Sequence, residues 1–417
     1  MQPKDKPSTV AETSDEDQAT SASPEHTPYT KHPEEQPSPR KRVLLFTNSV
    51  AMGGMEEHVV LLAHQLDRTR FEVFAICPDW SKTKDLTTRL HLAADHASEI
   101  SPDRRYGCWT QAYEGWRMFK QLRTWSIDVM HMHSTGYKGQ LLALIMARLA
   151  GVQQIYITEH LAPDEPLPLP MRLLRDLFSL QVDGIVCVSE KNYRARGMHL
   201  YTPHERTIVV VNGVDVDKFT PVPEDVLEDL RRQYDLPAQA QIIGTVVRFE
   251  PEKGLQDLLA AFSTIREACP DAYLLMVGDG SLREALEQQA RELGVADYVR
   301  FTGFQPNPRP FLGLMDVFVL PVPVGSMSIG LLEAMAMRRA VVITFGGKGE
   351  AVVHGESGFC AEPHNPASIA HFVIQILQNP ALQQQLSDAA RQRVETSFSS
   401  QRVAEVLGAL YEQTMVR

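Results

Sequence analysis

A doubly wound α/β architecture, occurring twice along the chain, is the fold class the sequence predicts, with the two sheets facing each other across a cleft. Three observations carry it. Short apolar runs lack the alternation of a half-exposed strand, as parallel strands covered on both faces do. Most of these runs are joined by polar or helix-periodic stretches. The length, 417 residues, exceeds the usual size of one core, so two domains are expected. Ligands of open parallel sheets bind at the carboxyl ends of the strands, which places function between the domains.

The elements follow in order. Residues 1–40 are rich in Pro, Ser, Thr, Glu and Lys and nearly free of large apolar side chains, so they are expected as a disordered leader. The basic Arg40, Lys41 and Arg42 close it, and three charges before a strand read as a solvated cluster. Residues 41–215 form the first predicted domain. Its strands are expected at 42–47, 71–77, 127–132, 154–158, 184–188 and 208–211, and the Gly53-Gly54 turn precedes a helix over 58–66. Residues 216–398 form the second, with strands at 242–247, 273–277, 298–301, 317–320 and 341–343. Leu255, Leu258, Leu259, Phe262 and Ile265 fall on one helical face between its first two strands, as a crossover helix requires. Within 399–417, Val403, Val406, Leu407, Leu410 and Tyr411 mark a last helix, free to pack on either domain and able to return to the first.

Composition excludes several function classes. Acidic residues outnumber basic ones for a net charge of -11, whereas phosphate-backbone binding needs a concentrated basic face, so nucleic acid is not an expected partner. No run approaches the roughly 18 consecutive apolar residues of a membrane span, and the polar N-terminus lacks the apolar core of a secretion signal. A cytoplasmic protein is expected. Cys77, Cys108, Cys187, Cys269 and Cys360 are scattered without a CxxC pair, which argues against a zinc site or a disulfide framework and for reduced, mostly buried thiols.

The residues suited to chemistry cluster at predicted strand ends. Glu333 stands among Leu331, Leu332, Ala334, Met335 and Ala336. A carboxylate held there needs a hydrogen-bond donor, either a ligand hydroxyl or a backbone amide, and a capping or salt-bridged role is the alternative. Arg248 and Lys253 flank a loop and helix start after the strand at 242–247, suited to clamping a diphosphate unless they pair instead with Glu250 and Glu252. Gly53-Gly54-Met55-Glu56 follows the first strand, where small residues let backbone amides approach a ligand. Gly278-Asp279-Gly280 and Gly346-Gly347 are permissive turns of the same kind. Neither a GxGxxG fingerprint nor a GxxxxGK[ST] loop occurs, which disfavours a nicotinamide dehydrogenase built on the same sheets. His160 ends Thr158-Glu159-His160, and it and His133 are candidates for contact with a reacting ligand, a hydrogen-bonded structural histidine being the alternative for each. His131 and His133 are expected on opposite faces of a strand and hence not as a chelating pair. Met171, Leu174, Leu177 and Phe178, with Arg172 and Arg175 nearby, mark a helix face suited either to the core or to a membrane surface.

These residues lie in a series of short motifs: GGMEEH (53–58), DVMHMH (128–133), TEH (158–160), VSE (188–190), NGVDVDKF (212–219), VRFEPEKG (247–254), VGDG (277–280), FTGF (301–304), LLEAMA (331–336) and GGKGE (346–350). Each is weak alone, but the set in this order resembles the retaining glycosyltransferases of family 4, from about Arg42 to the end of the chain. The resemblance implies the GT-B fold, two Rossmann-like domains with a sugar nucleotide held mainly by the second and the acceptor approaching the first. It implies that Arg248 and Lys253 hold the donor diphosphate and that Glu333 accepts hydrogen bonds from the nucleotide ribose. Gly53 and Gly54 would lie beside the phosphates and acceptor, with Glu56 and His133 on the acceptor side, and His160 would touch the donor sugar. Gly278, Gly346, Gly347 and Glu350 would complete the nucleotide-facing edge. The expected partners are a nucleotide-sugar donor and a saccharide, lipid-linked or small-molecule acceptor, with peripheral membrane contact. No cofactor and no metal are expected, because two fixed cations replace a metal and no DxD-type acidic pair is placed to hold one.

One departure stands out. The family usually has a second glutamate where this chain has Gly325, followed by Ser326-Met327-Ser328 in place of a Gly-Phe-Gly-like turn. Loss of that charged hydrogen bond is worth about 1.5–3 kcal/mol, a factor of about 10–150. An active transferase is the expectation, and a catalytically silent sugar-nucleotide-binding or scaffold subunit is the alternative.

Overall fold

The structure, a computed structural model, describes residues 39–49, 53–78, 83–102, 107–134, 140–160, 169–196, 206–323, 328–344 and 351–413, with the backbone alone for 171–172, 174–176, 191 and 195–196. Gly325, Gly346, Gly347, Glu350 and the expected leader up to residue 38 lie outside the described residues.

The first sheet contains β1 (Lys41–Thr47), β2 (Phe71–Cys77), β3 (His96–Glu99), β4 (Val129–Ser134), β5 (Gln154–Glu159), β6 (Gly184–Cys187) and β7 (Thr207–Val209). They lie in the order β3-β2-β1-β4-β5-β6-β7, all parallel. The second sheet contains β8 (Gln241–Val246), β9 (Ala272–Val277), β10 (Val299–Gly303), β11 (Val317–Leu320), β12 (Ala340–Thr344) and β13 (Phe359–Ala361), ordered β10-β9-β8-β11-β12-β13 and again all parallel. Each order reverses beside its first strand, between β1 and β4 and between β8 and β11. These two crevices are the ligand-binding places of such sheets.

The helices of the first half are α1 (Gly54–Gln65), α2 (Lys84–Ala93), α3 (Cys108–Trp125), α4 (Gln140–Ala150), α5 (Leu169–Leu180) and α6 (Glu190–Arg196). Those that follow are α7 (Glu224–Gln233), α8 (Leu255–Ala268), α9 (Arg283–Glu292), α10 (Arg309–Leu314), α11 (Ile329–Ala336), α12 (Pro366–Leu377), α13 (Pro380–Ser397) and α14 (Ser400–Glu412). Each sheet carries a core on both faces. Val59, Val60 and Leu62 of α1 cover one face of the first sheet and Met118, Leu122, Leu144 and Phe178 of α3–α5 cover the other. Leu258, Leu259 and Phe262 of α8 cover one face of the second sheet, opposite Leu331, Leu332 and Met335 of α11. The family expectation of two Rossmann-like doubly wound halves is met in topology.

Three differences from the sequence reading have physical causes. β3 and β13 were not anticipated, since the first is a polar, part-exposed edge strand and the second has only three residues. β4 begins later than expected: the Asp128 carboxylate accepts the Arg42 amide at 2.9 Å at the strand's entry, and the strand runs on through His133. The expectation that His131 and His133 face opposite ways is wrong. Residues separated by one position lie on the same side of a strand, and their rings are 4.4 Å apart.

The last helix returns to the first domain. Val403, Ala404, Leu407 and Tyr411 of α14 are buried in the core around α1 and β1, while Arg70 pairs with Glu412. The crossing is fixed by backbone, with Val214 N–H donating to Phe398 O and Ser400 N–H to Val214 O, both at 2.9 Å. Of the thiols, four are buried and Cys108 is exposed; none of the five is in a disulfide.

Candidate active site

The residues after β8 form a loop held mainly by backbone. Val247 N–H donates to Val277 O at 3.1 Å, Phe249 N–H to Asp279 O at 2.9 Å, and Leu282 N–H to Phe249 O at 2.9 Å. The fully buried Phe249 ring anchors it. This clamps the loop after β8 to the loop after β9 so closely that Gly278, at φ +142, has no room for a side chain: a Cβ there would lie 1.9 Å from Val247 O. Gly254, at φ +67, ends the loop and opens α8 in the same way, its Cβ position 2.1 Å from Pro321 O. Both glycines are required for the approach of backbone to backbone.

That frame presents Arg248, exposed, and Lys253, partly buried. The sequence offered pairing with Glu250 and Glu252 as the alternative to a ligand role, and some pairing exists. Lys253 Nζ lies 3.6 Å from Glu252 Oε1. Glu250 accepts the Ser281 hydroxyl at 2.7 Å, and its carboxyl is held below the usual range first by that bond and then by the charges of Arg248 and Lys253. Both cations therefore act on one neighbourhood at the carboxyl edge of β8.

Glu333 sits on α11, immediately after the other strand of the same crevice. It is partly exposed, yet burial pushes its carboxyl up to about 8; the charge of Glu57 adds to the rise and Lys218 partly offsets it. Among the described residues its carboxylate has no hydrogen-bond or ion-pair partner, so none of them supplies the donor the sequence demands. Near neutral pH the unliganded side chain holds a proton.

The first domain meets this edge at the start of α1. A methyl group on Gly54 would come 3.2 Å from Cδ1 of Ile329, the first residue of α11, so two helix N-termini converge where an anion would be welcome. Glu57 is held by Arg89 in a fork of 2.7 and 2.6 Å. Glu56 is buried and turns back toward its own helix start, with Oε2 3.2 Å from a Cβ position on Gly53. Burial raises its pKa, and hydrogen bonds with Ser49 and the Glu56 and Gly53 amides counter the rise. The structure thus places Glu56 as a cap of α1.

Behind α1 lies a knot of imidazoles. His133 Nδ1 is 3.3 Å from His160 Nε2, and the His58 ring stands 5.4 Å from that of His133 and 5.2 Å from that of His160. His131 is engaged instead by Thr158 Oγ1, at 2.7 Å, and Tyr411 Oη. Burial drives all four below the ordinary histidine value, His58 to about 4 and His131 to about 3, so they are neutral hydrogen-bonding groups at pH 7. Nε2 of His58 and Nε2 of His133 have no partner. The ligand atoms of His58, His133 and His160 lie within 4.8 Å of one another, close enough for the three to hold a metal ion after a small contraction.

Two models of known families match the chain in succession, Glycosyltransferase Family 4 over residues 52–218 and Glycosyl transferases group 1 over 227–393. The chain belongs to family 4 of the glycosyltransferases. As a group 1 glycosyltransferase it moves a sugar from a nucleotide sugar. It is 28% identical over 396 residues to a glycogen synthase of Mycobacterium tuberculosis, covering 87% of this chain and 91% of that one. It is 31% identical over 281 residues to a D-inositol 3-phosphate glycosyltransferase of Corynebacterium urealyticum, 63% of each chain. Among solved structures it resembles a glycosyltransferase of Rickettsia africae, with a TM-score of 0.78 at 18% identity over 89% of this chain and 98% of that one. Anabaena HepE in complex with UDP gives 0.75 at 18% identity, covering 88% and 99%. The fold of this transferase is accordingly GT-B.

Within that fold the structure brings Arg248, Lys253, Gly278 and Glu333 to the rear crevice, Gly53 and Gly54 opposite them, and His133 and His160 together behind α1. Sequence reasoning missed three participants. His58 was visible as the last letter of GGMEEH, one helical turn beyond Gly54. Glu57 and Lys218 stand in GGMEEH and NGVDVDKF, but nothing local in the sequence says that they act on Glu333.

Proposed function

We propose that this chain is an active retaining transferase that works without a metal. The observation that carries the reading is the pairing, in one crevice, of two cations on a glycine-locked loop with an acid that has no partner among the described residues. In this reading Arg248 and Lys253 neutralise the departing diphosphate, and Glu333 receives the ribose hydroxyls of the donor. The amides of Gly53 and Gly54 complete the phosphate site, and His160 contacts the donor sugar as a neutral group. Each preorganised donor aimed at the developing charge contributes about 3–4 kcal/mol. Attack from the front face lets the departing phosphate oxygen take the acceptor's proton, so no side chain has to act as base. The acceptor is a saccharide, a lipid-linked sugar or a small molecule, met on the first domain in the cytoplasm and next to a membrane.

Lys253→Ala tests this directly. Turnover should fall by about two orders of magnitude or more while thermal stability stays within about 1 kcal/mol of the parent. Equal destabilisation with unchanged transfer would make Lys253 a structural cation. Soaking with UDP, GDP or ADP should place phosphorus atoms against both Arg248 and Lys253.

Two observations favour other readings. Gly325 in place of the usual glutamate favours a silent sugar-nucleotide-binding subunit; Gly325→Glu should then create transfer where the parent has none. The two unpartnered imidazole nitrogens favour a metal held by His58, His133 and His160. Elemental analysis of the purified protein, with transfer measured before and after chelation, separates that reading from the metal-free one.

A further inference from the structure

The outer surface of the first domain does not look like that of an ordinary soluble α/β layer. A surface helix buries one stripe and shows water a polar face. α3, α4 and α5 bury Met118, Leu122, Ala143, Leu144, Ala147 and Phe178 against the sheet, and then present a second apolar stripe outward. On α3 this is Trp109, Tyr113 and Trp116, at 86%, 58% and 54% exposure. On α4 it is Ile145 and Leu149, at 44% and 63%; on α5 it is Leu169, Leu173, Leu177 and Leu180, each half or more exposed. The single face expected on α5 splits: Phe178 is buried in the core, whereas Leu177 is exposed in the outer row.

The helices lie side by side, Arg148 of α4 donating to Gln181 O just past α5 at 2.7 Å. In the whole second half only Val226, Leu293 and Phe304 are comparably exposed among the described residues.

The charge on this layer has the opposite sign to that of the protein. The described side chains of α3–α5 include Arg117, Lys120, Arg123 and Arg148 against Glu114, and Arg148 pairs with Asp183 just past α5 at 2.7 Å, which leaves a balance of +2 in a chain of -11. Lys120 Nζ stands 5.5 Å over the Trp116 ring, and Arg123 is exposed. Aromatic rings beside cations around an aliphatic stripe suit the interface of an anionic bilayer. Self-association fits poorly, since a two-fold contact through this face would set like charges against one another. Each of the three helices begins at the carboxyl edge of the sheet, so Trp109 and Leu169 lie at the end of the layer nearest the crevice. No helix among the described residues is long and apolar enough to cross a membrane, which leaves surface attachment.

We propose that the outer face of α3, α4 and α5 docks on an anionic lipid bilayer and thereby delivers an acceptor held at the membrane surface. As a statement about the acceptor this rests on the transferase reading; as a statement about the surface it stands alone, and the test separates the two.

The full chain is sedimented with phosphatidylcholine vesicles and with phosphatidylglycerol-rich vesicles. The expected result is binding to the second and much less to the first, weakening with salt. Lys120→Glu with Arg123→Glu should weaken it by roughly fivefold per cation removed, and more for the reversal. Trp109→Ser with Trp116→Ser, both exposed, should weaken it at least roughly tenfold. Retention of a nucleotide sugar, measured on the same preparations, should be unchanged in both variants. Failure to bind anionic vesicles, binding indifferent to both pairs of substitutions, or a dimer in sedimentation velocity that these substitutions dissociate would each overturn the proposal. Loss of nucleotide-sugar retention in the parent would instead count against the transferase reading.

Discussion

The two halves of the chain share one wiring and divide the chemistry. Both sheets reverse order beside their first strand, and both put a glycine turn after that strand. The rear half fills its crevice with charged groups: Arg248 and Lys253 on a backbone-locked loop, and Glu333, which has no partner among the described residues. The front half fills its crevice with His58, His133 and His160, buried and uncharged. Topology therefore explains where the groups lie, and under the proposed function side-chain chemistry assigns a different partner to each half. A diphosphate can be bound at a part-exposed edge because its own charge does the work. A sugar needs directional, desolvated hydrogen bonds.

The largest expected effect breaks the comparison at its glycines. Gly278→Val puts a Cβ on the Val247 carbonyl at a backbone angle that only glycine adopts easily. It should destabilise the second half by about 3 kcal/mol or more and abolish donor binding with it. Gly54→Ala meets only the flexible end of Ile329, so denaturant unfolding should change by less than about 1 kcal/mol. If both substitutions prove equally mild, the rear loop is not locked as described.

Legibility in the sequence follows the same division. The strands of the rear half, such as 317–320, and the role-bearing loop around Arg248 and Lys253 were readable because continuous apolar runs end where charged turns begin. The front site was less readable. Its histidines belong to α1, β4 and the end of β5, and nothing local in the sequence states that these meet. His131 and His133 were assigned opposite faces although their spacing puts them on one. Glu333 was legible as an anomaly, an acid among apolar neighbours, but Glu57 and Lys218, which tune it, come from positions joined to it only by tertiary structure. The outward stripe on α3 was invisible for a different reason: Trp and Tyr at helical spacing read equally as core until their exposure is known.

A middle-sized effect sharpens the front half. His160→Ala should lower kcat/KM by about 10- to 100-fold, the loss of one or two buried hydrogen bonds to the donor sugar. Because burial keeps these imidazoles neutral, with His58 at about 4 and His133 and His160 well below the ordinary value, the parent's pH–rate profile should show no limb near 6.5. A limb there that vanishes in His160→Ala would mean that the knot is wet and titrates normally.

The smallest effect concerns Glu333, and its sign can be worked out. The folded-state pKa is raised from 4.5 to about 8, so the folded chain keeps a proton that the unfolded chain releases in that interval. The stability this group contributes is complete below about 4.5 and is lost as pH rises through 8. Donor binding should run the other way. Ribose hydroxyls donate more strongly to a carboxylate than to a neutral acid, so binding favours loss of the proton. Affinity for the nucleotide sugar should then rise with pH by at most tenfold per unit between about 6 and 8, and level off above. Calorimetry in buffers of different ionisation enthalpy should register the released proton. In Glu333→Gln the pH dependence and the proton release should both disappear while the cations still bind the diphosphate. A parent whose affinity is flat over that range would show that the ribose is held by some other group.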